Sequence, residues 1–317
     1  MQVSAPPLIA ATPARRLWKS RQRVREKKDW KAGLWALVFL GPNLILFLVF
    51  TAYPVGYGLY ISLYNYSVLK PKRWIGLDNY DRFIHSPQTP DLIRRSIYYA
   101  VGATIPSVIL PLIVAVLLVN AGALTKTFRA LYFLPIVTSP VAAAAVWKWM
   151  YAKDFGLINY ALRRIGGEPV DWLYNLDWAM PAVVVMSVWL LLPFNTILYT
   201  AGLQEVPRDF YDAAAVDGAS KFQQFRDITI PLITPTIFFV LLITMINVLI
   251  GGFDVINVLT QGGPLHATDV LIYDIYQNAF QKFKLGYASA EAYVLFAAVL
   301  LVTLVNWMLQ KRWVHYA

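Results

Sequence analysis

The part of this 317-residue chain richest in chemistry is the stretch LQEVPRDFYDAAAVDGASKFQQFRDITIPLITP. Its carboxylates and glycine are spaced to build a small docking element rather than a reactive centre. Pro207 and Asp209 read as a helix start. Asp209 is placed to cap the free amides, and Asp212 three residues later makes an acidic capping box. Both carboxylates favour the positive end of the helix dipole. Ala213, Ala214 and Ala215 leave the helix almost without side-chain bulk. Asp217-Gly218 ends it, with the glycine able to take a left-handed conformation. Ser220 with Gln223 forms a second capping box and starts another short helix, on which Phe222 and Phe225 share one side. The product is two short helices with a turn, carrying a small face and exposed acids. Such an element fits a groove on another protein. A helix lying on a membrane surface should instead be basic, whereas residues 203–227 hold five acids against three bases.

Other chemistries are excluded by composition. Without cysteine there is no disulfide, thiolate metal site or cysteine nucleophile. His85, His266 and His315 lie far apart, so neither a histidine metal site nor a Ser-His-Asp triad is expected; no metal is assigned. No G-x-x-x-x-G-K-[ST] stretch occurs, so the chain has no phosphate-cradling loop of its own and should not hydrolyse ATP unaided. No cofactor is expected in this chain, and it does not read as an enzyme.

The elements that must position the docking loop are membrane spans. Hydrophobic residues make up 58% of the chain and charged residues only 15%, against about 25% charged in soluble domains. Six charge-poor runs approach or exceed the roughly 20 residues that a helix needs to span hydrocarbon. They are Ala32–Leu69 (densest over Leu34–Tyr53), Ser96–Thr125, Ala130–Trp147, Trp178–Gln204, Ile228–Phe253 and Ala292–Gln310. The expected fold is all-α, with six transmembrane helices over residues 32–310 and the docking loop at 203–227. A basic tail spans 1–31 and a short tail 311–317. The tail is too long, and the first apolar run too extended, for a cleaved signal peptide.

Loop charges set the orientation. With the N-terminus inside, the inner segments hold sixteen Lys/Arg and seven acids, while the outer loops hold twelve and ten. Both termini and the docking loop are therefore expected in the cytoplasm. The net charge of +10 belongs to this membrane pattern, with the tail attracted to anionic lipid, and nucleic acid is not an expected partner. Prolines recur in the runs (Pro42, Pro54, Pro106, Pro111, Pro135, Pro140, Pro181, Pro193, Pro231, Pro235), suggesting kinked helices around a cavity. Lys148 is expected to snorkel to the outer interface.

The docking loop resembles the cytoplasmic EAA loop of binding-protein-dependent ABC importer permeases. Asp212-Ala213-Ala214 stands at the EAA tripeptide, with aspartate for glutamate. Gly218 stands at the motif's glycine and Ile228–Pro231 at its closing I-x-x-P. Further segments resemble the carbohydrate-uptake group (maltose-type and glycerol-3-phosphate-type) in order: GPNLILFLVFTAYPVGYGLYISLY, WIGLDNY, FRALYFLP, AGLQ-x-VP, FDVINVLTQGGP and FKLGYASA. The resemblance implies one half of a heterodimeric channel in a bacterial inner membrane. Its partners would be a second homologous permease, two ATPase subunits that bind ATP and Mg, and an extracytoplasmic substrate-binding protein. Asp212, Ala213, Ala214, Asp217 and Gly218 would contact the ATPase.

Polar groups at membrane depth are candidates for the substrate path. These are Asn195 in the fourth span and Asn247 with Gly251, one turn apart, in the fifth. Trp189, Phe194 and Tyr199 are able to stack on sugar faces; helix–helix packing is the alternative for all of these side chains. Asp254 and Glu291, near the outer ends of spans five and six, read either as solvated interface charges or as contacts to the binding protein. Gln261-Gly262-Gly263-Pro264 reads as an external turn, and the resemblance has Gly262, Gly263 and Pro264 facing that protein. The expected function is import of a sugar or related polyol, with glycerol-3-phosphate the alternative within the group. A membrane-embedded lipid-sugar transferase would need acidic or histidine clusters at an interface, and a secondary transporter would need mid-span charges and repeats.

Overall fold

The computed structural model describes residues 30–68, 70–120, 132 and 134–313. The expected tails 1–31 and 311–317 fall largely outside these residues, and so does most of the second-to-third span connection.

The chain divides into two compact units, Met1–Gly56 and Tyr57–Ala317. In the first, helix α1 (Trp30–Phe47) runs through Pro42 into a π-helical turn at Leu48–Ala52. Helix α2 (Tyr53–Ser62) is next in the chain and includes the boundary between the two units. The π turn has a local cause. Pro54 lacks an N–H and its ring clashes with the carbonyl four residues back. One wider turn, closed by the Tyr53 N–H on the Leu48 carbonyl, takes up that mismatch.

The charge-free run that began at Ala32 does not stay helical to Leu69. An antiparallel hairpin takes over, β1 (Tyr64–Ser67) against β2 (Lys70–Trp74), with Tyr64 opposite Trp74. Aromatic and β-favouring residues alternate with polar ones here, which suits a half-buried ribbon. Lys72 Nζ lies 4.0 Å from the Tyr60 ring centre and 4.4 Å from that of Tyr64, a cation–π clasp. Asn79, from the WIGLDNY segment, donates to the Ser62 and Tyr64 carbonyls.

The remaining helices are α3 (Asp78–His85), α4 (Thr89–Asn120), α5 (Pro140–Met150), α6 (Leu157–Arg164), α7 (Ala179–Glu205), α8 (Arg208–Val216), α9 (Lys221–Gln224), α10 (Ile230–Leu232), α11 (Thr234–Leu259), α12 (Leu271–Tyr276) and α13 (Leu285–Trp313). Among the described residues five helical stretches are long and apolar enough to cross a membrane: Leu37–Ser62, Thr89–Val119, Ala179–Glu205, Thr234–Leu259 and Leu285–Gln310. The chain is a mostly helical, multi-pass membrane protein. The expected third span shows a 3-10 turn at Leu134–Val137 and the eleven-residue α5; the start of that run lies outside the described residues.

Not every proline kinks a helix as the sequence suggested. Pro42, Pro106, Pro111 and Pro193 lie inside helices. Pro140, Pro231 and Pro235 instead open helices, where the missing N–H costs nothing.

Within the second unit α7 is the central helix: half of its span window is buried, against none for α13. It packs with α4 and α11 around a core containing Tyr99, Val183, Met186, Val255 and Ile256. Polar side chains register the three helices. Asn195 on α7 donates to the Ser107 carbonyl on α4 (2.7 Å) and to Thr244 Oγ1 on α11 (2.8 Å). The Tyr99 and Ser187 hydroxyls are 2.9 Å apart. Asn195→Leu should therefore lower the melting temperature of the detergent-solubilised permease by a few degrees, since an interhelical hydrogen bond contributes about 1 kcal/mol in a membrane protein. An unchanged melting curve would remove Asn195 from this role.

Candidate functional site

The loop between α7 and α11 folds into an elbow of two short helices. Helix α8 starts at Arg208 with Pro207 as its N-cap. Here the capping expectation is corrected. Asp209 lies in the first turn of α8, and no side chain caps that end. Pro207 holds extended backbone at the cap position, so the helix starts one residue before Asp209 can act as cap. Asp209 still meets the positive helix end.

The C-terminal end follows the sequence reading. Asp217 is the C-cap and Gly218 adopts φ 79°. The Gly218 N–H donates to the Ala215 carbonyl and the Ala219 N–H to the Ala214 carbonyl, the paired bonds of a Schellman ending. Ser220 then makes the expected reciprocal box with Gln223. A second π turn, Phe225–Thr229, precedes Pro231 and is closed by the Ile230 N–H on the Phe225 carbonyl, the same solution as before Pro54.

Two contacts hold the elbow together: the Tyr211 and Thr229 hydroxyls at 2.9 Å and the buried Gln224 amide on the Ala219 carbonyl. The outer face is open. Asp212, Ala213, Asp217 and Gly218 are exposed and Ala214 is half-buried. Val216 is 88% exposed and Phe222 69% exposed, an apolar surface that the sequence reading took up only at Phe222. Arg226 hydrogen-bonds Asp227 at 2.7 Å and holds its carboxyl below the usual range.

The substrate-path candidates separate into two sets. Phe194, Asn247 and Gly251 line a pocket of about 330 Å³ together with Tyr99, Ser187 and Asp254. Asn195 does not line it; its amide is spent on the helix–helix bonds above. Tyr199 is fully buried against Ala115 and Val240, and Trp189 packs edge-on against Trp147 at 5.6 Å.

A model of the "Binding-protein-dependent transport system inner membrane component" family matches residues 90–314. The chain belongs to this family. It is 34% identical over 297 residues to the probable ABC transporter permease protein YesP of Bacillus subtilis, covering 92% of this chain and 94% of that protein. It is 31% identical over 282 residues to the sn-glycerol-3-phosphate transport system permease protein UgpA of Escherichia coli, covering 88% and 95%. Among solved structures it resembles a chain of a bacterial alginate ABC transporter in complex with an alginate pentasaccharide-bound periplasmic protein. There the TM-score is 0.81 at 25% identity, over 91% of this chain and 98% of that one.

In this family member the loop 260–270 is locked by its own polar groups. Gly262 adopts φ 81°, and a Cβ there would clash with Asp269 Oδ1. Gly263 and Pro264 form the expected turn, closed by the Thr268 hydroxyl on the Gly263 carbonyl. Arg95 on α4 donates to the Asp269 carbonyl oxygen at 3.1 Å. Burial raises the Asp269 carboxyl above its ordinary range, and His266 Nδ1 at 2.5 Å from Oδ2 partly opposes this.

One further placement corrects the sequence reading. Glu291 is not a solvated charge: it is fully buried, and Asn278 Nδ2 donates to both its oxygens. Lys148 Nζ donates to the Val258 carbonyl at 3.0 Å. That carbonyl lies in the last turn of α11, where cations are favoured.

Proposed function

We infer that this chain is the permease subunit of an ABC importer that moves a sugar or related polyol across a bacterial inner membrane. The observation that carries the reading is the exposed acidic elbow, Arg208–Gln224, between two membrane spans of a chain in this family. In this reading six helices span the membrane over residues 32–310, and both tails and the elbow at 203–227 are cytoplasmic. A second homologous permease completes the channel, two ATPase subunits supply the ATP and Mg chemistry, and an extracytoplasmic binding protein delivers substrate.

The elbow is the mechanical input. Asp212 and Asp217 form charge-assisted bonds with ATPase donors. Ala213 and Ala214 allow close approach, and Val216 and Phe222 add apolar contact. The Tyr211–Thr229 bond and the π turn before Pro231 pass displacement of the elbow to α11. Closure of the ATPases thereby reshapes the cavity that α7 and α11 line. On the far side, the loop carrying Gly262, Gly263 and Pro264 receives the binding protein.

The chain contains no cysteine, so single cysteines report cleanly. Val216→Cys and Phe222→Cys should react with a membrane-impermeant maleimide only in inside-out vesicles. In the assembled complex they should cross-link to an ATPase subunit. Labelling from the outer face, or cross-links that never capture the ATPase, would overturn the reading.

A further inference from the structure

The pocket between α7 and α11 has a charge feature that the importer reading leaves unused. Asn247, Gly251 and Asp254 are four and three residues apart, so they share one face of α11. All three line the pocket of about 330 Å³. Asp254 is the single charged side chain in that lining; no Lys, Arg or His joins it. It lies inside the Thr234–Leu259 span, five residues from its end, or about 7.5 Å of helix rise. Among the described residues Asp254 makes no ion pair. Lys148, the cation on the adjacent α5, is held by the Val258 carbonyl instead. Near the outer end of its span, then, an unpaired carboxylate faces the pocket.

Gly251 extends the feature. It is exposed, and a Cβ there would meet nothing within 4 Å. The gap leaves the Asn247 amide and the Asp254 carboxylate open to the same occupant. Phe194, on α7, is 39% exposed and lines the same pocket. An amide, a carboxylate and a ring suit a hydroxylated ring compound: the acceptor oxygens take hydroxyl or ammonium protons, and the ring stacks on C–H faces.

We propose that Asp254 is a charge filter in the translocation pocket, admitting neutral or cationic glycans and rejecting glycans or polyols that carry carboxylate or phosphate. This rests on the importer reading and names its substrate class. A negative group brought against an unpaired carboxylate, with no cation in this chain's share of the lining, meets repulsion. A neutral sugar instead finds acceptors for its hydroxyls.

The test uses the complete importer with its binding protein in proteoliposomes. The probes are a neutral disaccharide, its amino-sugar counterpart, its uronic-acid counterpart and glycerol-3-phosphate. Wild type should take up the neutral or amino sugar at least about tenfold faster than either anion, the order expected from one unit charge at close range. Asp254→Asn should shrink that ratio about tenfold, and Asn247→Asp, which adds a carboxylate on the same face, should widen it. If Asp254→Asn fails to assemble, the Asn247→Asp arm decides alone. Rapid anion uptake by wild type, or a ratio that neither variant moves, overturns the filter and leaves the importer reading intact. No uptake of any glycan or polyol, with ATP hydrolysis still stimulated by the binding protein, overturns the sugar-importer reading itself.

Discussion

Gly218→Pro in the assembled importer is expected to reduce substrate-stimulated ATP hydrolysis to the unstimulated level. Two bonds close the end of α8, and proline removes the first of them, the Gly218 N–H to the Ala215 carbonyl. It also fixes φ near −65°, whereas Gly218 adopts 79°. The chain then cannot turn back, and the Ala219 bond to Ala214 is lost as well. Helix α8 has nine residues and no side-chain cap at its start, and so short a helix is marginal without fixed ends. The surface formed by Asp212, Ala213, Ala214 and Asp217 would lose its shape as a unit. A graded series separates backbone from space. Gly218→Asn should retain most stimulation, because asparagine tolerates left-handed backbone. Gly218→Ala should lose part of it, at a cost of about 1–2 kcal/mol, since a Cβ at this position meets nothing within 4 Å. ATPase assays with saturating loaded binding protein give the order. Wild-type stimulation in the proline variant would remove the elbow from the coupling path. Alanine as damaging as proline would mean that space, not conformation, is what the partner reads.

What the sequence made legible was local. The Ser220–Gln223 box and the Gly218 ending depend on residues within three or four positions, and both formed as read. Long charge-free runs also spoke clearly, because crossing a membrane demands length and hydropathy alone. Where the reading failed, a distant partner decided. Asn195 and Asn247 are equivalent amides by sequence; packing spends one on Ser107 and Thr244 and leaves the other facing a pocket. Prolines were ambiguous for another reason: the same missing N–H bends a helix in its interior and opens one at its start, and only the neighbouring turns decide. At Pro54 and Pro231 those turns are π turns, which leave no sequence signature beyond the proline itself. The hairpin at Tyr64–Trp74 was hidden because aromatic residues suit an apolar helix end and a strand alike.

Glu291 is the clearest such case, and it carries the second large prediction. Asn278→Leu should destabilise the permease by about 1–3 kcal/mol, the cost of leaving a buried polar group without its hydrogen-bond partner. Asn278 Nδ2 lies 3.1 and 3.0 Å from the two Glu291 oxygens and 3.1 Å from Asp274 Oδ2. One amide thus stands between two acidic side chains, and Lys282 Nζ reaches Asp274 Oδ1 only at 3.9 Å. Asn278 is itself buried, so water cannot replace its donors. Leucine matches its size roughly but donates nothing. The loss is a sizeable part of the roughly 5–15 kcal/mol that holds most domains folded. It should appear as reduced membrane accumulation and a melting temperature lowered by several degrees. The seam joins the helices on either side of the Gln277–Gln281 turn, α12 and α13, so its failure would free the start of the last span. A second substitution tells the polar mechanism from simple misfit. Adding Glu291→Leu to Asn278→Leu removes the stranded group together with its lost partner, and the double variant should melt above the single one. If the double variant melts no higher, the defect is one of packing. If Asn278→Leu alone melts like wild type, the seam does not depend on Asn278.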